Sequence, residues 1–207
     1  MKRFSIGFTA LVLVFATTLA ARADNLVVNG DFETTDFTGW TQTGNTDSSV
    51  VFVGCLGSGS YLSGNSLFAH SGSCAANFGP PEDDPGGTSQ ELTTVAGQSY
   101  TVSFWLANNG GFQVIPNDFS ALWNGDSRVS FTDSDNFDWT QYSFDVVGTG
   151  ADDLSFSFRQ DPGFIGLDDV SVSAPEPSTL PLLGFGLAGI VVVYRRHLIA
   201  VSEVEQR

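Results

Sequence analysis

In Tyr100-Thr101-Val102-Ser103-Phe104-Trp105-Leu106, an extended chain puts Tyr100, Val102, Phe104 and Leu106 on one side and Thr101, Ser103 and Trp105 on the other. Leu154-Ser155-Phe156-Ser157-Phe158 repeats the pattern, with three apolar side chains facing away from two serines. Such strands have one face to bury, and two sheets of them stacked together form a sandwich. No sustained 3.6-residue apolar period occurs over 24–174, which is rich in Gly, Ser, Thr and Asp. Short candidate strands fall at 26–28, 50–53, 67–68, 75–78, 89–93, 100–107, 120–123, 129–131, 140–146, 154–159 and 165–172. Turn residues separate them, and Asn124-Gly125 is the clearest two-residue hairpin signal because both residue types tolerate positive φ. The stretch 79–87, with three prolines and three acidic residues, reads as a long polar loop over one end. The expected fold is all-β and antiparallel.

The chain has 207 residues, of which 23 are Asp or Glu and 8 are Lys or Arg. Within 24–174 there are 17 Asp and 3 Glu against Arg128 and Arg159 alone, a formal charge of −18. That surface excludes nucleic acid as a direct partner. The segment is long enough for one domain and too short for two.

Both ends are apolar. Met1-Lys2-Arg3 precedes the apolar run 4–20, and Ala21-Arg22-Ala23 puts small residues at −3 and −1 of a cleavage point, so 1–23 reads as a secretory signal peptide with a helical apolar core. At the other end, Pro175-Glu176-Pro177-Ser178-Thr179 separates the domain from the run 180–194, which stops at Arg195-Arg196-His197. Two prolines oppose a continuous element entering from the domain, and the cations would stay in the cytoplasm, so the run is expected to be a transmembrane helix. Its fifteen residues span only about 23 Å, short for a bilayer unless the membrane thins or flanking residues contribute.

Pro175-Glu176-Pro177, a Gly-rich apolar segment and the pair Arg195-Arg196 together resemble the PEP-CTERM sorting signal of Gram-negative bacteria that make an exopolysaccharide-rich matrix. The resemblance implies passage through the secretion translocon and transient anchoring in the inner membrane. Processing by an exosortase near the tripeptide would follow, with delivery to the cell surface or extracellular matrix. The tail 198–207, with Glu203 and Glu205, departs from the pattern, whose members commonly end soon after the basic cluster. In an oxidising destination Cys55 and Cys74, with 18 residues between them, are expected to form a disulfide. His70 lies between them, and no motif joins it to a catalytic cysteine.

Leu26-Val27-Val28-Asn29-Gly30-Asp31-Phe32-Glu33 with Gly39-Trp40, the segment 99–105 and Gly166-Leu167-Asp168-Asp169-Val170-Ser171-Val172 resemble the galactose-binding-like jelly rolls related to carbohydrate-binding modules. The implied fold is a jelly-roll sandwich. The implied metal is a structural calcium held by Glu33 and Asp168, supplemented by backbone oxygen near Asn29 or Asp31. Independently, Asp168 shares strand parity with Val170 and Val172, which points it toward the core, where a carboxylate needs a cation or several donors. Calcium or backbone amides would each serve. Organic cofactors have no motif here.

Glycan candidates are Trp40, Trp105, Trp123 and Trp139, because an indole covers the apolar face of a sugar, with Asn124 and Arg128 close to Trp123. Each tryptophan also has the ordinary alternative of packing in a core. Trp105, opposite Phe104, is expected on the outer side of its sheet. The paired acids Asp152-Asp153 and Asp168-Asp169 are adjacent, and adjacent strand residues point to opposite faces, so neither pair specifies an acid and base. The expectation is a non-catalytic exported protein that binds exopolysaccharide or cell-surface glycan. The alternatives are an acidic structural matrix protein without a sugar site and a glycan-active hydrolase.

Overall fold

A computed structural model describes residues 24–55, 69–81, 83–109, 116–160 and 163–175. The signal peptide, the candidate strand 67–68, the apolar run 180–194 and the sorting-signal residues Glu176, Pro177, Arg195 and Arg196 lie outside the described residues. Among those described, no helix is long and apolar enough to cross a membrane. Ala23–Pro175 forms one compact unit.

Ten strands follow in chain order: β1 (Thr41–Gly44), β2 (Val51–Cys55), β3 (Cys74–Phe78), β4 (Gly86–Thr93), β5 (Ser99–Asn109), β6 (Asn117–Trp123), β7 (Asp126–Thr132), β8 (Phe137–Val147), β9 (Ala151–Gln160) and β10 (Phe164–Ser173). They build two five-stranded sheets with the orders β1-β4-β9-β6-β7 and β2-β3-β10-β5-β8, and every pairing is antiparallel. The expected antiparallel sandwich is what forms, with a jelly-roll-like alternation of strands between sheets.

The alternation in the sequence positions the core. Tyr100, Val102, Phe104 and Leu106 of β5 face Leu154, Phe156 and Phe158 of β9, and all seven are buried. Phenylalanine fills the space between sheets: Phe78 stacks on Phe158 with centroids 3.9 Å apart, and Phe104 meets Phe156 edge-on at 5.1 Å. The Asn124-Gly125 hairpin joins β6 to β7 with φ of 52° and 82°, a backbone that glycine adopts without penalty and asparagine tolerates.

Three expectations about elements need correcting. Residues 26–28 are not a strand. Asn25 instead uses its side chain as a pairing edge, donating from Nδ2 to Val170 O at 3.1 Å and accepting from Val172 N at 2.9 Å, while Leu26 N donates to Val172 O. Strand β1, Thr-Gln-Thr-Gly, has no apolar alternation because it is an edge strand whose residues are mostly exposed. Gly86 and Gly87 belong to β4 and pair with Phe158 and Ser157, so the polar loop ends at Pro85.

Asp152, 1% exposed, fastens one end of the sandwich. It accepts hydrogen bonds from Thr94 Oγ1, from Asn124 Nδ2 at 2.6 Å, and from the backbone and hydroxyl of Thr149 at 2.8 Å each. Burial alone would raise its pKa, but these donors together outweigh that and hold it well below the usual carboxylate range.

Candidate functional site

The site grows from an irregularity in β10. Up to Asp168 the strand keeps register with β5, Leu167 opposite Leu106 and Asp168 opposite Trp105, and then the register shifts before Ser171. Asp169 takes a φ of 48° within this bulge. The parity argument for Asp168 therefore fails. Leu167 and Val170, three residues apart, both enter the core, whereas Asp168 shares the outer face of its sheet with Trp105. Asp168 is nonetheless fully buried, because residues 70–74 fold over it.

That segment is held by three carboxylates. Asp168 Oδ2 accepts from the backbone N–H of His70 at 2.8 Å and of Ser71 at 3.2 Å, and Oδ1 accepts from Asp169 N at 2.7 Å. Glu33 Oε1 accepts from Ser73 N at 2.6 Å and Cys74 N at 2.8 Å. Asp169 takes the side chains: Ser71 Oγ donates to Oδ1 at 2.8 Å, and His70 Nδ1 lies 2.6 Å from Oδ2. Gly72, with φ of 61°, passes so close that a Cβ there would run into Glu33 Oε1. Cys74 closes the segment through the expected disulfide to Cys55. Burial pushes the Asp168 carboxyl up to about 7, with the Asp169 charge adding to the rise and the three amides opposing it.

The donor chemistry bears on calcium. Glu33 and Asp168 supply hard oxygen, and the buried Asp168 has only amides for partners, a setting that favours an added cation. Yet Glu33 Oε1 and both Asp168 oxygens already accept amides, and among the described residues no three His, Cys, Asp or Glu side chains gather into a metal-holding group. A metal would have to complete its shell with backbone oxygen or water.

Aromatic side chains cover the same region. The His70 ring stacks on Trp105 at 3.6 Å and 14°, and Trp139 of β8 meets it edge-on at 6.0 Å. Trp105 and Trp139 are half-buried, as the outward placement of Trp105 required. His70 and Asp169 keep about a quarter of their side-chain surface in solvent. The Ser71 hydroxyl donates to Asp169 and not to the imidazole, so the trio is not arranged as a nucleophile activated by its base.

The other glycan candidates are not brought to this face. Trp40 is 8% exposed, stacked near Phe32 and donating from Nε1 to Asn29 O at 3.0 Å, and Trp123 is 2% exposed in the core. Neither offers an indole face to a sugar, because each is packed into the hydrophobic core. Asn124 is exposed but both arms of its amide are occupied, by Asp152 Oδ1 and by Asp153 N. Arg128 lies on the surface 3.8 Å from Asp126. Sequence reasoning missed His70 as a site residue. Its signal was the His-Ser-Gly-Ser-Cys run, whose meaning depends on the β10 bulge.

Residues 173–196 match the model of the PEP-CTERM protein-sorting motif. No curated protein matches the sequence. Among solved structures, TmCBM61 in complex with beta-1,4-galactotriose is similar at 25% identity and a TM-score of 0.56, covering 74% of this chain and 100% of its own. The K3 cleaved adhesin domain of Lys-gingipain from Porphyromonas gingivalis is similar in fold, at 13% identity and a TM-score of 0.52, over 71% of this chain and 98% of its own. The likeness to TmCBM61 is in keeping with a non-enzymatic protein. The chain thus joins a PEP-CTERM sorting motif to a jelly-roll β-sandwich of the kind found in carbohydrate-binding modules.

Proposed function

We propose that the protein is an exosortase-processed surface or matrix protein of a Gram-negative bacterium, whose sandwich binds exopolysaccharide or cell-surface glycan without catalysis. The observation that carries this reading is the cluster of Trp105, His70 and Trp139 on the outer face of one sheet, in which Asp169 holds the His70 ring between the two indoles' contacts. Stacked rings offer an apolar surface to the C–H face of a sugar, and Ser71 and Asp169 beside them supply polar groups for hydroxyls. Likeness to TmCBM61 supports a glycan as the class of ligand, and β-1,4-linked galactose is the first to try. Passage through the translocon and transient membrane anchoring belong to the same reading, from the sorting motif.

Purified protein is to be tested on a glycan array that includes β-1,4-galactotriose, with calcium and with chelator. Saturable, sugar-selective binding is expected, reduced at least tenfold by Trp105→Ala or Trp139→Ala, which is about 1.4 kcal/mol or more, and unaffected by Arg128→Ala. A folded protein that ignores every glycan would leave the second reading, an acidic structural matrix protein. The burial of Trp40 and Trp123 favours that alternative. A structural calcium at Glu33 and Asp168 is a separate proposal: chelation should then lower the melting temperature of the wild type and leave Asp168→Asn unchanged.

A further inference from the structure

The ring cluster stands among carboxylates. The strands of its sheet, β2-β3-β10-β5-β8, carry Asp138, Asp145, Asp168 and Asp169 and no lysine or arginine. The two arginines of 24–174 belong to the other sheet, Arg128 on β7 beside Asp126 and Arg159 on β9 beside Asp118. Next to the rings, Glu33 is exposed and Asp169 keeps 27% of its side-chain surface in solvent. A ligand that reaches His70 therefore meets negative charge that no lysine or arginine of this sheet balances.

The hydrogen bonds sharpen this. Each oxygen of Asp169 accepts one bond, Oδ1 from Ser71 Oγ at 2.8 Å and Oδ2 from His70 Nδ1 at 2.6 Å, and a carboxylate oxygen has room for a second. Ser71 spends its one hydroxyl hydrogen on Asp169, so toward a ligand its oxygen can only accept. His70 Nδ1 spends its hydrogen the same way. Asp168 lies beneath, fully buried and bonded by backbone amides, and adds field without offering contact. Beside the rings, then, Ser71 and Asp169 present lone pairs and no hydrogen.

What fits lone pairs beside aromatic rings is a positively charged group rich in hydrogens. An ammonium has three donors and no acceptor, and it is attracted both to carboxylates and to ring faces. A uronate has the opposite character, and its carboxylate would stand against Asp169. A hydroxyl or an N-acetyl group falls between the two, since each can donate a hydrogen but brings no charge.

We propose that the site takes a glycan bearing free amino groups, a hexosamine chain whose nitrogen is not acylated. Asp169 accepts from the sugar ammonium while the cluster of Trp105, His70 and Trp139 contacts the sugar ring, which makes Asp169 the residue that sets specificity. This rests on the reading that the ring cluster binds glycan, and it adds the charge class of the sugar.

The test titrates the purified protein, in chelator and at a pH where the sugar amine is protonated, with β-1,4-linked glucosamine oligomers, with the same oligomers fully N-acetylated, and with galacturonate oligomers of equal length. The glucosamine oligomer is expected to bind about tenfold or more tighter than its acetylated counterpart, and galacturonate not to bind. Asp169→Asn suits the left-handed backbone at this position and still accepts from Ser71, so it should fold, and it is expected to remove the preference. Asp83→Asn, which takes the same charge from the connection between β3 and β4, is expected to keep it. Equal affinity for amine and amide overturns the proposal and leaves the glycan-binding reading standing. So do binding of galacturonate, failure of the glucosamine oligomer while another glycan binds, and a preference that Asp83→Asn weakens as much as Asp169→Asn, which would assign it to the charge of the whole domain. Protein that binds none of these oligomers and no glycan on the array overturns the glycan reading and this proposal with it.

Discussion

Asp168 is the residue on which the site turns, and its buried carboxyl makes a pH prediction with a definite sign. Its folded pKa of about 7 lies above the ordinary value of 3.8, so the folded chain holds that proton more tightly than the unfolded chain. The stability this group contributes is present below about pH 4 and is lost as pH rises toward 7. In chelator, the melting temperature of the wild type should therefore carry a downward component between pH 4 and 7 that Asp168→Asn lacks. Identical pH profiles for the two proteins would sink the assignment. The residue itself was legible in the sequence as one that needs donors. Its direction was not, because a parity argument presumes an unbroken strand, and a single left-handed residue, Asp169, reverses it.

At the scale of elements, the disulfide Cys55–Cys74 joins the end of β2 to the start of β3, where the two residues are also register partners. Closing a loop of this separation stabilises by roughly 3 kcal/mol in the chain-entropy picture. For a domain of this size that corresponds to about 6–12 °C in melting temperature. Reduction should produce a loss of that order, read by circular dichroism with and without reductant. It should also change the emission of Trp105, since Cys74 anchors the segment that lays His70 on the indole. A reduced protein with unchanged melting and unchanged emission would show that the carboxylate contacts alone hold the segment. The strands themselves were largely readable, since β5 and β9 alternate cleanly and Asn124-Gly125 fixes one hairpin. Strand β1 was not, because an exposed edge strand carries no buried face to leave a pattern, and its pairing with β4 spans some forty-five residues of chain.

For the whole molecule the dominant fact is charge. A domain at −18 repels itself, and screening relieves that repulsion over a Debye length of about 10 Å at 0.1 M salt. Melting temperature is expected to rise when sodium chloride is raised from about 0.01 M to 0.15 M, and an unchanged or falling value would mean the acids are paired more closely than the contacts of Arg128 and Arg159 suggest. The choice of indoles for a sugar was beyond the sequence for a related reason. Trp123 and Trp139 sit in apolar alternation and Trp40 beside a strand that has none, and only the packing of the sheets decides which of these faces inward. Strand β10 carries a further consequence. It lies in the middle of its sheet, flanked by β3 and β5, and its second half is gripped by Asn25 and Leu26, immediately upstream of the sorting motif. A pull on the attached end would run along that strand and load its hydrogen bonds together in shear, so that an anchored domain would resist being torn from its support far better than one hung from a peelable edge.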